Sequence, residues 1–61
     1  MKVKDILNLI RNDDREKIYI FEYNKNDILD SGYKEDIVNS KYVDYEVKSI
    51  MAVDDNIAIE I

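Results

Sequence analysis

Carboxylates are the side chains through which this chain could do chemistry. Its 61 residues contain no histidine and no cysteine, so catalytic triads, thiol dyads and the common zinc sites have no members to draw on. The single glycine cannot build a loop that cradles phosphate. What remains is proton transfer between carboxyl groups, or a hard cation held by clustered oxygens. Asp13-Asp14 and Asp54-Asp55 are the closest clusters, and Asp27 and Asp30 flank the start of a strand. None has the alternating ligands and closing glutamate of a calcium loop. All sit where polar turn residues belong. Ser31, Ser40 and Ser49 have no sequence neighbour that would activate them. The expectation is a protein that is not an enzyme, with no catalytic or metal-binding residues and no cofactor.

Recognition is the other chemistry available, and the stretch KIYIFEY, residues 17–23, is where it concentrates. Side chains alternate along a strand. Here both alternating sets are apolar: Ile18 and Ile20 in one, Tyr19, Phe21 and Tyr23 in the other. A strand of this kind needs cover on both faces. Aromatics on a sheet can stack bases, but base-stacking surfaces are surrounded by lysine and arginine, and Lys17 is the one cation in that register of the strand. Two coverings of the aromatic set stay open: a partner protein, or residues 34–43 of the same chain folded back.

Length and charge limit the alternatives. A chain of 61 residues makes one domain, 1–61, which buries only about 60% of the surface its unfolded form exposes. Small domains compensate with disulfides, metals or partner chains, and with no cysteine or histidine the disulfides and the common zinc sites are excluded here. Self-association or another bound protein is the expected compensation. The net charge of −5 is uneven: residues 1–20 sum to +1 and residues 21–61 to −6. Direct binding of a phosphate backbone is not expected of such a chain, whereas a basic protein partner is. The apolar fraction of 46% with ten isoleucines argues for an ordered domain in spite of the charge. No apolar run approaches the roughly 20 residues of a membrane span, and no signal-peptide core follows Lys2 and Lys4. The expected location is the cytoplasm.

The elements that must position these residues read as follows. Val3, Ile6, Leu7 and Ile10 are spaced for one face of a helix over residues 3–11, with Asn12-Asp13-Asp14 as its stop and turn. Strands follow at 16–23 and 28–33, joined through Asn24-Lys25-Asn26-Asp27, with Gly32 marking a bulge or the strand's end. A short second helix at 36–42, capped by Asp36 and burying Val38 and Tyr42, is left open beside a loop. Alternation returns over 45–53. A three-residue loop Asp54-Asp55-Asn56 then sets Val53 opposite Ile57, Met51 opposite Ile59 and Ser49 opposite Ile61.

The fold expected is therefore α+β, an N-terminal helix packed on a four-stranded, mainly antiparallel sheet. The helix covers Ile18, Ile20, Val47, Met51, Ile57, Ile59 and Ile61. Tyr19, Phe21, Tyr23, Leu29, Tyr33 and Ile50 share the opposite face. Tyr19, Phe21, Tyr23 and Tyr33 are the expected apolar contacts of a protein interface. Glu35, Asp36, Asp44 and Glu46, beside Asp54 and Asp55, are the carboxylates that would meet a basic groove.

In layout the whole chain resembles short phage and prophage proteins of Gram-positive bacteria. The likeness lies in the opening MKVKDILNLI, the strand KIYIFEY, the middle ILDSGY before an acidic segment, and the ending VKSIMAVDDNIAIEI. The resemblance implies a mobile-element context, in which short acidic proteins inhibit host machinery such as CRISPR and restriction systems. It carries no site residues. Two functions follow as expectations. One is an acidic interaction module that inhibits a host nucleic-acid-handling or defence complex. The other is a self-associating structural or accessory protein with no inhibitory role.

Overall fold

The computed structural model of the protein describes residues 1–10 and 16–61, with Val53 described by its backbone. The order of elements is α1 (Val3–Leu7), β1 (Lys17–Phe21), β2 (Ile28–Gly32), α2 (Lys34–Ile37), β3 (Ser49–Val53) and β4 (Asn56–Glu60). The four strands form one sheet in the order β2-β1-β4-β3. The two hairpins are antiparallel, but β1 and β4, the central pair, run parallel. The sheet is thus mixed, not mainly antiparallel. After β2 the chain crosses to the far edge to make β3, and only then returns as β4 beside β1. Both central strands carry alternating isoleucines, and that pattern is the same whichever way a neighbour runs.

The parallel register sets Ile18 beside Ile57 and Ile20 beside Ile59. Ile18, Ile20 and Ile59 are fully buried, and with Val3, Ile6, Leu7, Ile37 and Ile61 they form the core. Burying an aliphatic side chain of this size contributes about 1.5–3 kcal/mol, so this two-strand isoleucine cluster with its helical cover is the main source of stability. The core face of the central strands is the one expected from sequence.

Helix α1 is shorter than the apolar spacing predicts, five residues in place of 3–11. Leu9 and Ile10 donate to the carbonyls three residues back, Ile6 and Leu7, at 3.0 and 3.1 Å, so the helix tightens and ends. Ile10 still packs on the core while Leu9 is exposed. The expected stop at Asn12-Asp13-Asp14 lies outside the described residues. At the other end, the N–H groups of Val3 and Lys4 donate to the carbonyls of Tyr45 and Val43 at 3.0 and 2.9 Å. Orphan donors of a helix start are thereby satisfied by the loop before β3. The same bonds draw Tyr45 out of the strand expected over 45–53, and β3 begins at Ser49.

Helix α2 occupies Lys34–Ile37, not 36–42. Asp36 acts from inside the helix: its carboxylate accepts the Tyr33 N–H at 3.1 Å, as that of Asp5 accepts the Lys2 N–H at 2.8 Å in α1. Each is the third-residue half of a capping box. Ile37 is the buried anchor of α2; Val38, expected inside, is exposed, and Tyr42 is half-buried against the core from a turn. Lys34 Nζ donates to the Ile10 carbonyl at 2.6 Å and ties α2 to the end of the α1 segment.

The last hairpin differs from expectation by one residue. Its loop has two residues, Asp54 and Asp55, and the left-handed position falls on Asp54 (φ 54°), not on Asn56. Ala52 therefore pairs with Ile57, Met51 with Ala58, Ile50 with Ile59 and Ser49 with Glu60. A one-residue slip turns every side chain of a strand over. Ile50 and Ala52 thus share the face of the core isoleucines, and Met51 shares the face of Tyr19 and Phe21. In β2 the register shifts between Ile20 and Phe21, which leaves Leu29 unpaired and packed toward the core instead of the aromatic side. Gly32 closes that strand.

Candidate functional interface

Both helices and the loop that leads into β3 pack on the Ile18/Ile20 face. Residues 34–43 therefore do not fold over the aromatics, and no described element lies on the opposite face of the sheet. That open face is built in rows. Ser31, Tyr19, Ala58 and Met51 form one row from β2 across to β3. Ile28, Phe21, Glu60 and Ser49 form the next. The Tyr19 and Phe21 rings are 6.3 Å apart and tilted by 35°. With Ile28, Asn56 and Ala58 they line a shallow groove that is almost wholly apolar. Ile28 is 55% exposed and Met51 52% exposed.

Charge is confined to the ends of this face. Lys17 Nζ lies 5.3 Å from the centroid of the Tyr19 ring. At the far end Glu60 accepts a hydrogen bond from the Ser49 hydroxyl. A solvated sheet face alternates polar outward residues with apolar inward ones. Here the outward residues of the central strands include Tyr19, Phe21 and Ala58.

The eight residues expected at an interface do not come together. Tyr19 and Phe21 share the open face. Tyr23 lies in the turn after β1, where its N–H donates to the Ile61 carbonyl at 2.9 Å and Lys48 Nζ stands 5.5 Å from its ring centroid. Tyr33 precedes α2 as its cap residue. Glu35, Asp36, Asp44 and Glu46 belong to the layer that covers the other side of the sheet, and all four are exposed. Asp44 pairs with Lys4 at 3.1 Å and Glu46 with the N-terminal ammonium at 3.1 Å. Asp54 and Asp55 extend the acidic character to the tip of the β3–β4 hairpin. A second groove, in the helical layer, holds Tyr42 and Tyr45 edge to face at 5.3 Å beside Leu29 and Lys48.

Ile28, Ala58 and Met51 complete the apolar face and were absent from the expected set. The signal for Ile28 was its alternation against Leu29. Met51 required the register of the hairpin, which alternation alone left undetermined. Among the described residues no three carboxylates gather as metal ligands, and no helix is long and apolar enough to cross a membrane.

The fold and this surface define the class: a small α+β protein with two short helices on one side of a four-stranded mixed sheet and an apolar, partly aromatic surface on the other. Comparison with family models, curated proteins and solved structures gives no match.

Proposed function

We propose that the protein is a non-enzymatic interaction module whose open sheet face is the contact surface for another protein. The observation that supports this reading is the row Tyr19–Ala58–Met51, flanked by Phe21 and Ile28, on the side of the sheet that no described element covers. Contiguous apolar surface of this kind on a small domain marks a binding site. Aromatic residues and methionine are the types enriched at the centres of protein interfaces.

Glu35, Asp36, Asp44 and Glu46 are the exposed carboxylates offered to a basic partner, two of them paired within the chain with Lys4 and the N-terminal ammonium, and the net charge of −5 steers such a partner's approach. The resemblance to short phage and prophage proteins extends the proposal to an inhibitor of a host nucleic-acid-handling or defence complex of the anti-CRISPR or anti-restriction type, acting in the bacterial cytoplasm.

Affinity capture with Phe21→Ser as the control tests this reading. Immobilised protein is expected to retain a basic protein from a Gram-positive host lysate. Retention should fall as salt rises and be lost in the folded Phe21→Ser variant. Equal capture by wild type and Phe21→Ser would reject the open face as the contact surface.

A further inference from the structure

We infer that the open sheet face is occupied by a second copy of this chain, packed face to face with its strands reversed relative to those of the first. The inference rests on the reading of that face as a contact surface and names what covers it.

The charges on the face carry the argument. Its outward positions along the central strands are Lys17, Tyr19 and Phe21 on β1 and Asn56, Ala58 and Glu60 on β4. One cation thus stands at one end of the face and one anion at the other, with the row Ser31–Tyr19–Ala58–Met51 midway between them. Both are half-buried in the single chain. Their contacts on the face are uncharged: the Tyr19 ring for Lys17 and the Ser49 hydroxyl for Glu60.

A two-fold axis in the plane of the face can lay it on itself in two ways. An axis along the strands superposes like ends, Lys17 near Lys17 and Glu60 near Glu60. An axis across the strands, above the Tyr19–Ala58–Met51 row, sets the Lys17 end of each copy over the Glu60 end of the other. Only the second brings opposite charges together, and it does so at both ends. Sheets packed face to face keep their strand axes within about 30° of each other and lie about 10 Å apart, a gap that lysine and glutamate side chains can bridge together. The same packing leaves the two helical layers on opposite outer surfaces. Glu35, Asp36, Asp44 and Glu46 of the two copies therefore stay apart and in water, although each chain carries a net charge of −5.

Size sets the strength of the contact. Four strands about 4.8 Å apart, each five residues long at about 3.3 Å per residue, make a face of roughly 20 by 17 Å. That is smaller than the about 800 Å² per partner of a standard stable interface, so the dimer is expected to be reversible, with a Kd in the micromolar range. The two-fold axis closes it at two chains. At lower concentrations the face is free to meet another protein, and the two occupants exclude each other.

Sedimentation velocity on the full chain at physiological salt, with circular dichroism to confirm folding, tests the inference. Wild type is expected to show a monomer–dimer equilibrium, and folded Phe21→Ser should be monomeric throughout. Lys17→Glu should weaken association roughly tenfold, because repulsion replaces attraction at both ends. Glu60→Lys should do the same although it lowers the net charge, and the exchanged double variant K17E/E60K should recover association. Lys48→Glu, which changes the net charge as Lys17→Glu does but lies off this face, should have a much smaller effect. A dimer that persists in Phe21→Ser overturns the inference, as does one indifferent to the charges at 17 and 60. A wild type that is monomeric at roughly 100 μM also overturns it. If Phe21→Ser nevertheless loses capture of a lysate protein, only the second copy is rejected and the open face stands as the contact with that protein.

Discussion

Gly32 and Asp36 approach so closely that a methyl group on Gly32 would lie 2.8 Å from Asp36 Cβ. The contact is between the end of β2 and the third residue of α2, whose carboxylate holds the Tyr33 N–H at 3.1 Å. Gly32 also takes φ 153°, a conformation that L side chains rarely adopt. The chain's one glycine is therefore what lets α2 begin directly after β2. Gly32→Ala is expected to destabilise the fold by about 1–3 kcal/mol, from backbone strain together with the displaced Asp36. Urea denaturation checks this, and a midpoint equal to wild type would show that the junction relaxes freely.

Ile20 and Phe21 are sequence neighbours on opposite sides of the sheet, and they should respond to truncation in opposite ways. Ile20 is fully buried, and Ile20→Ala is expected to cost about 2–5 kcal/mol. A domain of this size has only about 3–5 kcal/mol in all, so the variant should be largely unfolded. Phe21→Ser should remain folded and become more soluble, because it removes apolar surface from an uncovered face. Circular dichroism on the two variants separates them, and an unfolded Phe21→Ser would place Phe21 in the core.

The caps of the two short helices should be individually measurable. Helices of five and four residues have no stability of their own in water, and they persist through packing and capping. Asp5→Ala and Asp36→Ala each remove a carboxylate acceptor from a helix start, at an expected cost of about 0.5–1.5 kcal/mol. Thermal melts of the two variants give the comparison. No change in either midpoint would mean that packing alone sets these helix starts.

Asp44 should matter for binding more than for folding. Its ion pair with Lys4 has both side chains more than half exposed, and such pairs contribute about 0–1 kcal/mol. Asp44→Asn is expected to leave the melting temperature nearly unchanged while weakening capture of a basic partner at low salt. Equal binding at every salt concentration would remove Asp44 from the proposed contacts with a basic partner.

A chelator should leave the melting temperature unchanged, since ligand removal lowers stability only where the folded state binds the ligand. Differential scanning calorimetry with and without EDTA reads this directly. A shift of several degrees would reveal a cation held by the carboxylates.

Much of the core was legible in the chain itself. Ile18, Ile20, Ile57, Ile59 and Ile61 alternate with residues of another kind, and Val3, Ile6, Leu7 and Ile10 recur at helical spacing, so local periodicity alone assigned them to one apolar layer. Tyr19 and Phe21 were likewise legible as the opposite register of the same strand. The candidate interface was legible only as residue types: its aromatics and carboxylates were named together, yet they occupy different sides of the molecule.

What tertiary structure decided are the relations between segments that alternation does not encode. Ile-rich strands look alike beside a parallel or an antiparallel neighbour, so the β1–β4 pairing depended on where the crossover after β2 could lead. In Ile50-Met51-Ala52 both registers are apolar, so the loop set the facing of β3, and the left-handed residue proved to be Asp54. The length of α1 and the start of β3 were set together by Val3 and Lys4 donating to the carbonyls of Tyr45 and Val43. Those bonds join residues some 40 positions apart in sequence, and no local pattern within either segment announces them. Periodicity follows from one segment's own side chains, whereas register, strand direction and helix ends depend on which distant backbone groups arrive to satisfy them.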